Sequence, residues 1–469
     1  MTAARTLARL PSGAPNIDLV LGGGLISNAV NLIIGPPGAG KTILAQQYLF
    51  TNATKERPGI YLATVSEPLE KILRYGQTLA FFDQKAVGSS VFYEDLSAAM
   101  NATGLAGVLL QVDRLLKERR PGMVVIDSFK ALHPYAENQG DFRRFLHDLA
   151  ARLSVVPVTS FWVGEYGRDD ATEAPEFAVA DAIVSLHSER AAERERRVLQ
   201  VLKLRGSAFM SGQHAYRLSG EGFDVFPRLA DAIDLSSYKI HRERISSGIP
   251  ILDEMLTDGY WSGASTLVAG PSGAGKTLMG LHFVFAGARL GAPGLIATFQ
   301  ENPVQLENIC NGFGWSLSDD NIAVMYRTPV DMYIDEWVYN LLEIVERSGT
   351  KRLMIDSLGD LMVAAGDDIR FREYVYSLLQ RFSRASVSVL MTQEVPQLFG
   401  VTGLSEVGIS HLSDNVVLLQ YLPSHSEVKR AASVLKTRAS QHDPYIRQYD
   451  ITKDGFTVGK PFPDGQGIV

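Results

Sequence analysis

Short apolar runs alternate with longer stretches of helical period along most of the chain. Val30–Ile34, Ile60–Val65, Met123–Ile126, Val155–Val163 and Leu267–Ala269 are rich in Val, Ile and Leu. They lack the in-out alternation of a half-exposed strand, so they read as strands buried on both faces. Strands of that kind separated by amphipathic helices predict an α/β fold with a largely parallel sheet and helices on both faces. Ligands of such sheets bind beyond the carboxyl ends of the strands.

The pattern occurs twice. Ser12-Gly13, Pro15 and Asp18 recur as Ser247-Gly248, Pro250 and Asp253, all 235 residues on. VVIDS ending at Ser128 recurs as LMIDS ending at Ser357, an offset of 229. Asp181 recurs as Asp414, and Arg197, Lys203 and Arg205 recur as Arg430, Lys436 and Arg438, at 233. Matching order with small drift means a duplicated domain. The polar stretch from about Asp231 to Arg244 is the expected linker, which gives domains 1–240 and 241–469.

Each copy carries a phosphate-loop motif after an apolar run: GPPGAGKT at 35–42 and GPSGAGKT at 270–277. Gly35, Gly38 and Gly40, with Gly270, Gly273 and Gly275, let backbone N–H groups turn inward around phosphate oxygens. Lys41 and Lys276 are expected at the β- and γ-phosphates, and the Thr42 and Thr277 hydroxyls in the shell of a Mg²⁺ ion. Asp127 and Asp356 each end an apolar run, where a carboxylate orients that metal or its waters. Glu67 and Glu301, 234 residues apart, stand at the strand end expected to carry the acid that polarises an attacking water. Lys203 with Arg205, and Lys436 with Arg438, lie on extended segments; at a period of two each pair shares a face and suits phosphate charge.

Composition narrows the class. A hydrophobic fraction of 46% and a charged fraction of 21% are those of a globular protein, and the net charge of −7 offers no global attraction to nucleic acid or anionic lipid. The single cysteine, Cys310, excludes an internal disulfide and suits a reducing compartment. No apolar run is long enough to span a bilayer. MTAARTLARLPSG has no apolar segment of a secretory signal, so the expected location is cytoplasmic.

The tandem phosphate loops, the IDS strand ends, the acidic strand ends and the K-x-R strands resemble the KaiC family of circadian-clock ATPases and autokinases. The resemblance runs from about Ser12 to about Thr452 and is strongest in Asp414-x5-Gln420-Tyr421 and VLKTR at 434–438. It implies two RecA-like P-loop domains that bind ATP and Mg²⁺, and a homo-oligomer, a hexamer in that family, with nucleotide held between neighbouring subunits. It also implies that Lys203, Arg205, Lys436 and Arg438 act on a neighbour's nucleotide, and that protein signalling partners exist. Three departures stand out. The first of the family's adjacent glutamates is Ser66 in copy one and Gln300 in copy two, neither an effective base. The family's phosphoacceptor Ser-Thr pair is Ser410-His411, with Ser405 aligned to a further hydroxyl and Phe177-Ala178 at the place in copy one. Only KPFPDGQGIV follows the last apolar strand. The expectation is therefore a slow MgATPase in a signalling or timing oligomer, with Ser410 as phosphoacceptor, rather than a full oscillator. Two other readings stay open: a RecA- or DnaB-like DNA-dependent ATPase, which the acidic balance disfavours, and an ATP-gated scaffold with little turnover.

Overall fold

Successive residues of Val30–Ile34 face opposite sides of a sheet, and both sides are covered. Val30, Leu32 and Ile34 join a core with the helices Ser97–Arg119 and Gln139–Val155; Ile33 joins a second core with the helix Lys41–Asn52. Burial on both faces explains the unbroken apolar runs. In the second unit Val268, Ile296 and Met354 pack on the side of the helix Lys276–Ala288, while Leu267, Leu295 and Leu353 face the helices Ile334–Ser348 and Asp368–Arg384.

The computed structural model describes residues 7–65, 67–167, 170, 174–191, 194–229, 243–319, 321–330, 332–395, 409–424, 427–438 and 440–462. The chain divides into two compact units, Met1–Arg228 and Leu229–Val469. The expected boundary near 240 falls within 230–242, outside the described residues, as do Ser66 and Ser405.

The sheet of the first unit comprises β1 (Val30–Ile34), β2 (Gly59–Ala63), β3 (Val91–Asp95), β4 (Met123–Asp127), β5 (Thr159–Gly164), β6 (Ala182–Ala191), β7 (Arg194–Leu204), β8 (Gln213–Ser219) and β9 (Gly222–Phe226). Their order is β3-β2-β4-β5-β1-β6-β7-β8-β9. The six strands from β3 to β6 are parallel and the remainder antiparallel. The second unit repeats this with β10 (Ser265–Gly270), β11 (Gly294–Thr298), β12 (Ile322–Tyr326), β13 (Arg352–Asp356), β14 (Ser388–Glu394), β15 (Asn415–Ser424), β16 (Glu427–Thr437), β17 (Arg447–Thr452) and β18 (Gly455–Pro461). Its order, β12-β11-β13-β14-β10-β15-β16-β17-β18, is the same. Even the register shift in the β6–β7 pair recurs between β15 and β16.

One apolar run divides differently from its reading in the sequence. Val155–Val163 is not a single strand: Val155 ends a helix, and β5 starts only at Thr159. Pro157, which has no N–H and a fixed φ, separates the two. The helix Gln139–Val155 starts at Asn138, whose side chain accepts the Asp141 N–H; Asp367 accepts the Arg370 N–H at the same place in the second unit. Each such cap contributes about 1 kcal/mol.

Candidate functional site

β1 and β10 lie inside their parallel sheets, and each runs directly into a phosphate loop and then a helix. The turn needs a left-handed residue just before the helix. Gly40 (φ 88°) and Gly275 (φ 92°) provide it. A Cβ on Gly40 would stand 2.8 Å from Leu218 Cδ1, and one on Gly275 would stand 2.8 Å from Ile451 Cδ1. At Gly38 a Cβ would meet no atom within 4 Å, so that side of the loop is open. From behind, Tyr216 on β8 donates to the Ala39 carbonyl at 2.7 Å, and Tyr449 on β17 donates to the Ala274 carbonyl at 2.5 Å. Sequence reasoning missed both tyrosines, although they recur at the offset of 233.

Each loop lysine folds back over its own loop. Lys41 Nζ donates to the Pro36 carbonyl and Lys276 Nζ to the Pro271 carbonyl, each at 2.8 Å. Burial lowers both ammonium pKa values, opposed by nearby carboxylates: Glu165 and Asp127 around Lys41; Glu394, Asp356 and Glu301 around Lys276. An ammonium has three donors, so each lysine keeps capacity for phosphate oxygens. Glu165 and Glu394 were not singled out from sequence. Glu394 pairs in register with Gly270, the first loop glycine, and Glu165 follows the Gly164 that pairs with Ile34.

The threonine after each lysine meets the strand-end aspartate. Thr42 Oγ1 donates to Asp127 Oδ2 and Thr277 Oγ1 to Asp356 Oδ2, both at 2.6 Å. The contact joins β1 to β4, and β10 to β13, across the strand between them. The second partner of the aspartate differs: Tyr61 donates to Asp127 at 2.6 Å, whereas Thr392 donates to the other oxygen of Asp356. Burial raises both carboxyl pKa values, with these hydroxyls pulling the other way. No group of three or more His, Cys, Asp or Glu able to hold a metal occurs among the described residues. The protein offers one hydroxyl and one carboxylate per site, the sparse set a Mg²⁺ ion accepts when phosphate and water complete its shell.

The raised aspartate pKa values carry a pH consequence. A neutral Asp127 or Asp356 favours the ligand-free fold, a contribution present below the ordinary carboxylate pKa and lost as pH rises through the raised one. A metal needs the ionised form. Asp127→Asn and Asp356→Asn are therefore expected to keep or raise the ligand-free melting temperature while losing about tenfold or more of the Mg²⁺ enhancement of nucleotide affinity. Melting curves from mild acid to neutral pH, with and without Mg²⁺, read both; an intact Mg²⁺ effect would refute the metal role.

The two candidate acids are placed differently. Glu67 forms an ion pair with Lys71 at 2.9 Å on the following helix. Glu301 is half-buried, takes a 3.3 Å bond from Thr298, and has its pKa raised by burial and then by Asp356. The cause is loop length. β2 and β11 are related by 235 residues, because Ala63 pairs with Asp127 as Thr298 pairs with Asp356, yet the next helices start from Pro68 and Asn302, related by 234. The first loop holds one extra residue, so counting from the strand puts Ser66 where Glu301 stands. Gln300 is tied to Asp360 at 3.0 Å, and Ser357 donates to the same carboxylate oxygen at 2.7 Å.

The cation pairs are not brought to their own phosphate loops. Lys203 donates to the carbonyls of Phe177 (3.0 Å) and Ala178 (3.2 Å), and Arg205 to the Asp181 carboxylate and the Ala178 carbonyl, each at 3.2 Å. Lys436 holds the carbonyls of Ser410 (3.0 Å) and Ser413 (2.7 Å), and Arg438 that of His411 (2.7 Å) and the Asp414 carboxylate (3.4 Å). Asp181 Oδ2 accepts the N–H of Val30 and Asp414 Oδ2 that of Ser265, the first residues of β1 and β10. These cations therefore sit at the amino ends of the parallel strands, with the phosphate loops at the carboxyl ends. Across β10 that separation is roughly 16 Å at about 3.3 Å per residue. Ser410, half-buried, lies at the same amino end.

Two segments, residues 10–230 and 245–462, match the family model described as "ATPase: KaiC". The circadian clock protein KaiC3 of Synechocystis sp. is 28% identical over 99% of this chain and 94% of its own length. The circadian clock oscillator protein KaiC of Rippkaea orientalis is 27% identical over 96% of this chain and 89% of its own. That of Prochlorococcus marinus is 28% identical over 98% and 94%. No described helix is long and apolar enough to cross a membrane. With the same strand order and the same loop, threonine and aspartate in both units, and the family match across both, the chain belongs to the KaiC ATPase family.

Proposed function

We propose that this protein is a slow MgATPase with two nucleotide sites per chain, acting as a signalling or timing oligomer, with Ser410 as a phosphoacceptor. The observation that carries the reading is the recurrence, in both units, of a phosphate-loop threonine 2.6 Å from the strand-end aspartate, half-buried in the first unit and buried in the second. Gly35, Gly38, Gly40 and Lys41, and Gly270, Gly273, Gly275 and Lys276, bind the phosphates. Thr42 with Asp127, and Thr277 with Asp356, hold Mg²⁺, which supplies charge neutralisation on the phosphates when bound. Glu301 takes the proton of the attacking water in copy two. Glu67, drawn to Lys71, does so weakly in copy one.

Lys203, Arg205, Lys436 and Arg438 complete a site on another copy of the chain. Their place at the opposite end of the sheet from their own loops supports this, since roughly 16 Å exceeds the reach of a side chain to its own nucleotide. The same separation means that Ser410 receives phosphate from a nucleotide on a second copy: the serine oxygen attacks the γ-phosphorus, the bond to the β–γ bridging oxygen breaks, ADP leaves, and the serine proton passes to a base or to solvent.

Incubation of the purified protein with MgATP, followed by intact-mass measurement, release of ADP and particle mass, tests the proposal. One phosphate is expected on the wild type and none on Ser410→Ala, with ADP released by both. Phosphate retained on Ser410→Ala would refute the acceptor assignment. No ADP from a nucleotide-bound assembly would refute turnover and leave an ATP-gated scaffold.

A further inference from the structure

Among the described residues, each strand-end aspartate accepts bonds from two side-chain hydroxyls, and only one of the two comes from the same place in both units. The shared donor is the phosphate-loop threonine, Thr42 or Thr277. The other reaches in from opposite sides of the aspartate's strand. In the first unit it is Tyr61 on β2, which donates to Asp127 Oδ2 at 2.6 Å. In the second it is Thr392 on β14, which donates to Asp356 Oδ1. β4 lies between β2 and β5, and β13 between their counterparts β11 and β14, so the donors stand on different neighbours of the same strand.

Where one unit has the donor, the other has an apolar side chain. Ala63 pairs with Asp127 as Thr298 pairs with Asp356, so two residues earlier Tyr61 corresponds to Ile296. Asp127 pairs with Val163, and Ile355 pairs with Met391 one step before Asp356 and Thr392, so Val163 corresponds to Thr392. All four side chains are fully buried. Ala63, beside Asp127, is smaller than the Thr298 of the second unit and leaves the path along β2 open to the long phenol. A carboxylate withdrawn from water needs donors, which accounts for a second bond in each unit. It does not account for the number staying at two while the donor moves from one neighbouring strand to the other. That constancy marks a requirement at the aspartate itself.

We propose that Tyr61 and Thr392 are interchangeable positioning residues, each fixing its unit's aspartate in the orientation that meets Mg²⁺ or its waters. The inference rests on the metal role given to Asp127 and Asp356 above. A carboxylate held by the loop threonine alone can turn about its Cβ–Cγ bond; a second bond from a rigid group stops that rotation. Both donors are rigid. The Tyr61 ring packs against Tyr93, its register partner on β3, with 5.2 Å between centroids. Thr392 is β-branched, with few rotamers open to it, and lies within a strand. Donors that orient a metal-binding carboxylate in this way are worth about 10- to 100-fold in metal affinity.

The Mg²⁺ enhancement of binding of a fluorescent ATP analogue to the full chain tests the assignment, with each site isolated by the lysine substitution in the other unit. Binding in EDTA serves as the check of folding. In a Lys276→Ala chain, Tyr61→Phe is expected to lower the enhancement by about 10- to 100-fold. Adding Val163→Thr, which places the second unit's donor in the first, should restore it to within about threefold of the parent. In a Lys41→Ala chain, Thr392→Val should produce a loss of the same order. Thr392→Val copies a residue the first unit already uses, so it carries the test if Tyr61→Phe does not fold. An enhancement that survives both single substitutions would overturn the proposal, and a lower melting temperature with that enhancement intact would assign the hydroxyls to the ligand-free fold alone. A loss in Tyr61→Phe that Val163→Thr does not repair would overturn the interchange. No Mg²⁺ enhancement in either parent chain would refute the metal role of the aspartates itself, and the positioning role with it.

Discussion

Glu301→Gln is expected to lower ATP hydrolysis by about 10²–10⁴-fold at the second site, the usual contribution of a positioned general base. Glu67→Gln is expected to change the first site by less than about tenfold, because Glu67 is committed to Lys71. Glu301 has the environment such a base requires: half-buried, near Asp356, with a pKa raised by desolvation so that the carboxylate accepts a proton more readily. Single-turnover release of ADP isolates each site when the other carries its lysine substitution. Both variants should bind ATP normally, since the bonds of the two glutamates go to Lys71 and Thr298 and not to the phosphate loops. Equal losses in the two variants would show that the extra loop residue has no bearing on which acid works, and a silent Glu301→Gln would remove the base from copy two.

Lys41→Ala and Lys276→Ala are each expected to weaken nucleotide binding at their own site by about 10²–10⁴-fold. Each ammonium gives one bond to a loop carbonyl at 2.8 Å and has two donors left for phosphate oxygens. Two charge-assisted bonds at about 1.5–3 kcal/mol each give that range. Removing a cation that is buried (Lys41) or half-buried (Lys276) also relieves its desolvation, so the ligand-free protein should melt no lower. Equilibrium binding of a fluorescent ATP analogue to the single and double variants checks this. The double variant should retain no saturable site, and a surviving one would mean that a nucleotide binds away from both loops.

Much of the fold was legible because its signals are local and repeated. A short apolar run without alternation, set between amphipathic helical stretches, reads as a strand buried on both faces, and the phosphate-loop motif after one such run in each copy marks the strand that carries the loop. Ser12-Gly13 to Asp18 and their echoes made the duplication plain. The Val155–Val163 run misled because apolar content alone does not separate a helix end from a strand start; Pro157 carried that information. The core of the candidate site was equally legible, since Lys41, Thr42 and Asp127 belong to motifs whose spacing reflects strand topology. Tyr216 and Tyr449 were not, because they reach the loop from antiparallel strands some 175 residues downstream, and only the repeat offset connects them. Glu67 and Glu301 show a different limit. Aligned by the helix that follows they are equivalents, but aligned by the strand that precedes they are one residue out of step. Sequence offsets average over that slip; strand pairing does not.

The placement of Lys203 and Lys436 at the end of the sheet opposite the phosphate loops gives each unit a head and a tail. A site completed by a second copy joins a head to a tail, so the contact is between unlike surfaces. Such a contact is heterologous: a single one between two copies is not two-fold symmetric and leaves one head and one tail open. Growth by that contact ends only when the last tail meets the first head; otherwise it continues as a filament. On the proposed role of these cations in a second copy's site, the rotation between neighbouring copies decides between closure and fibre.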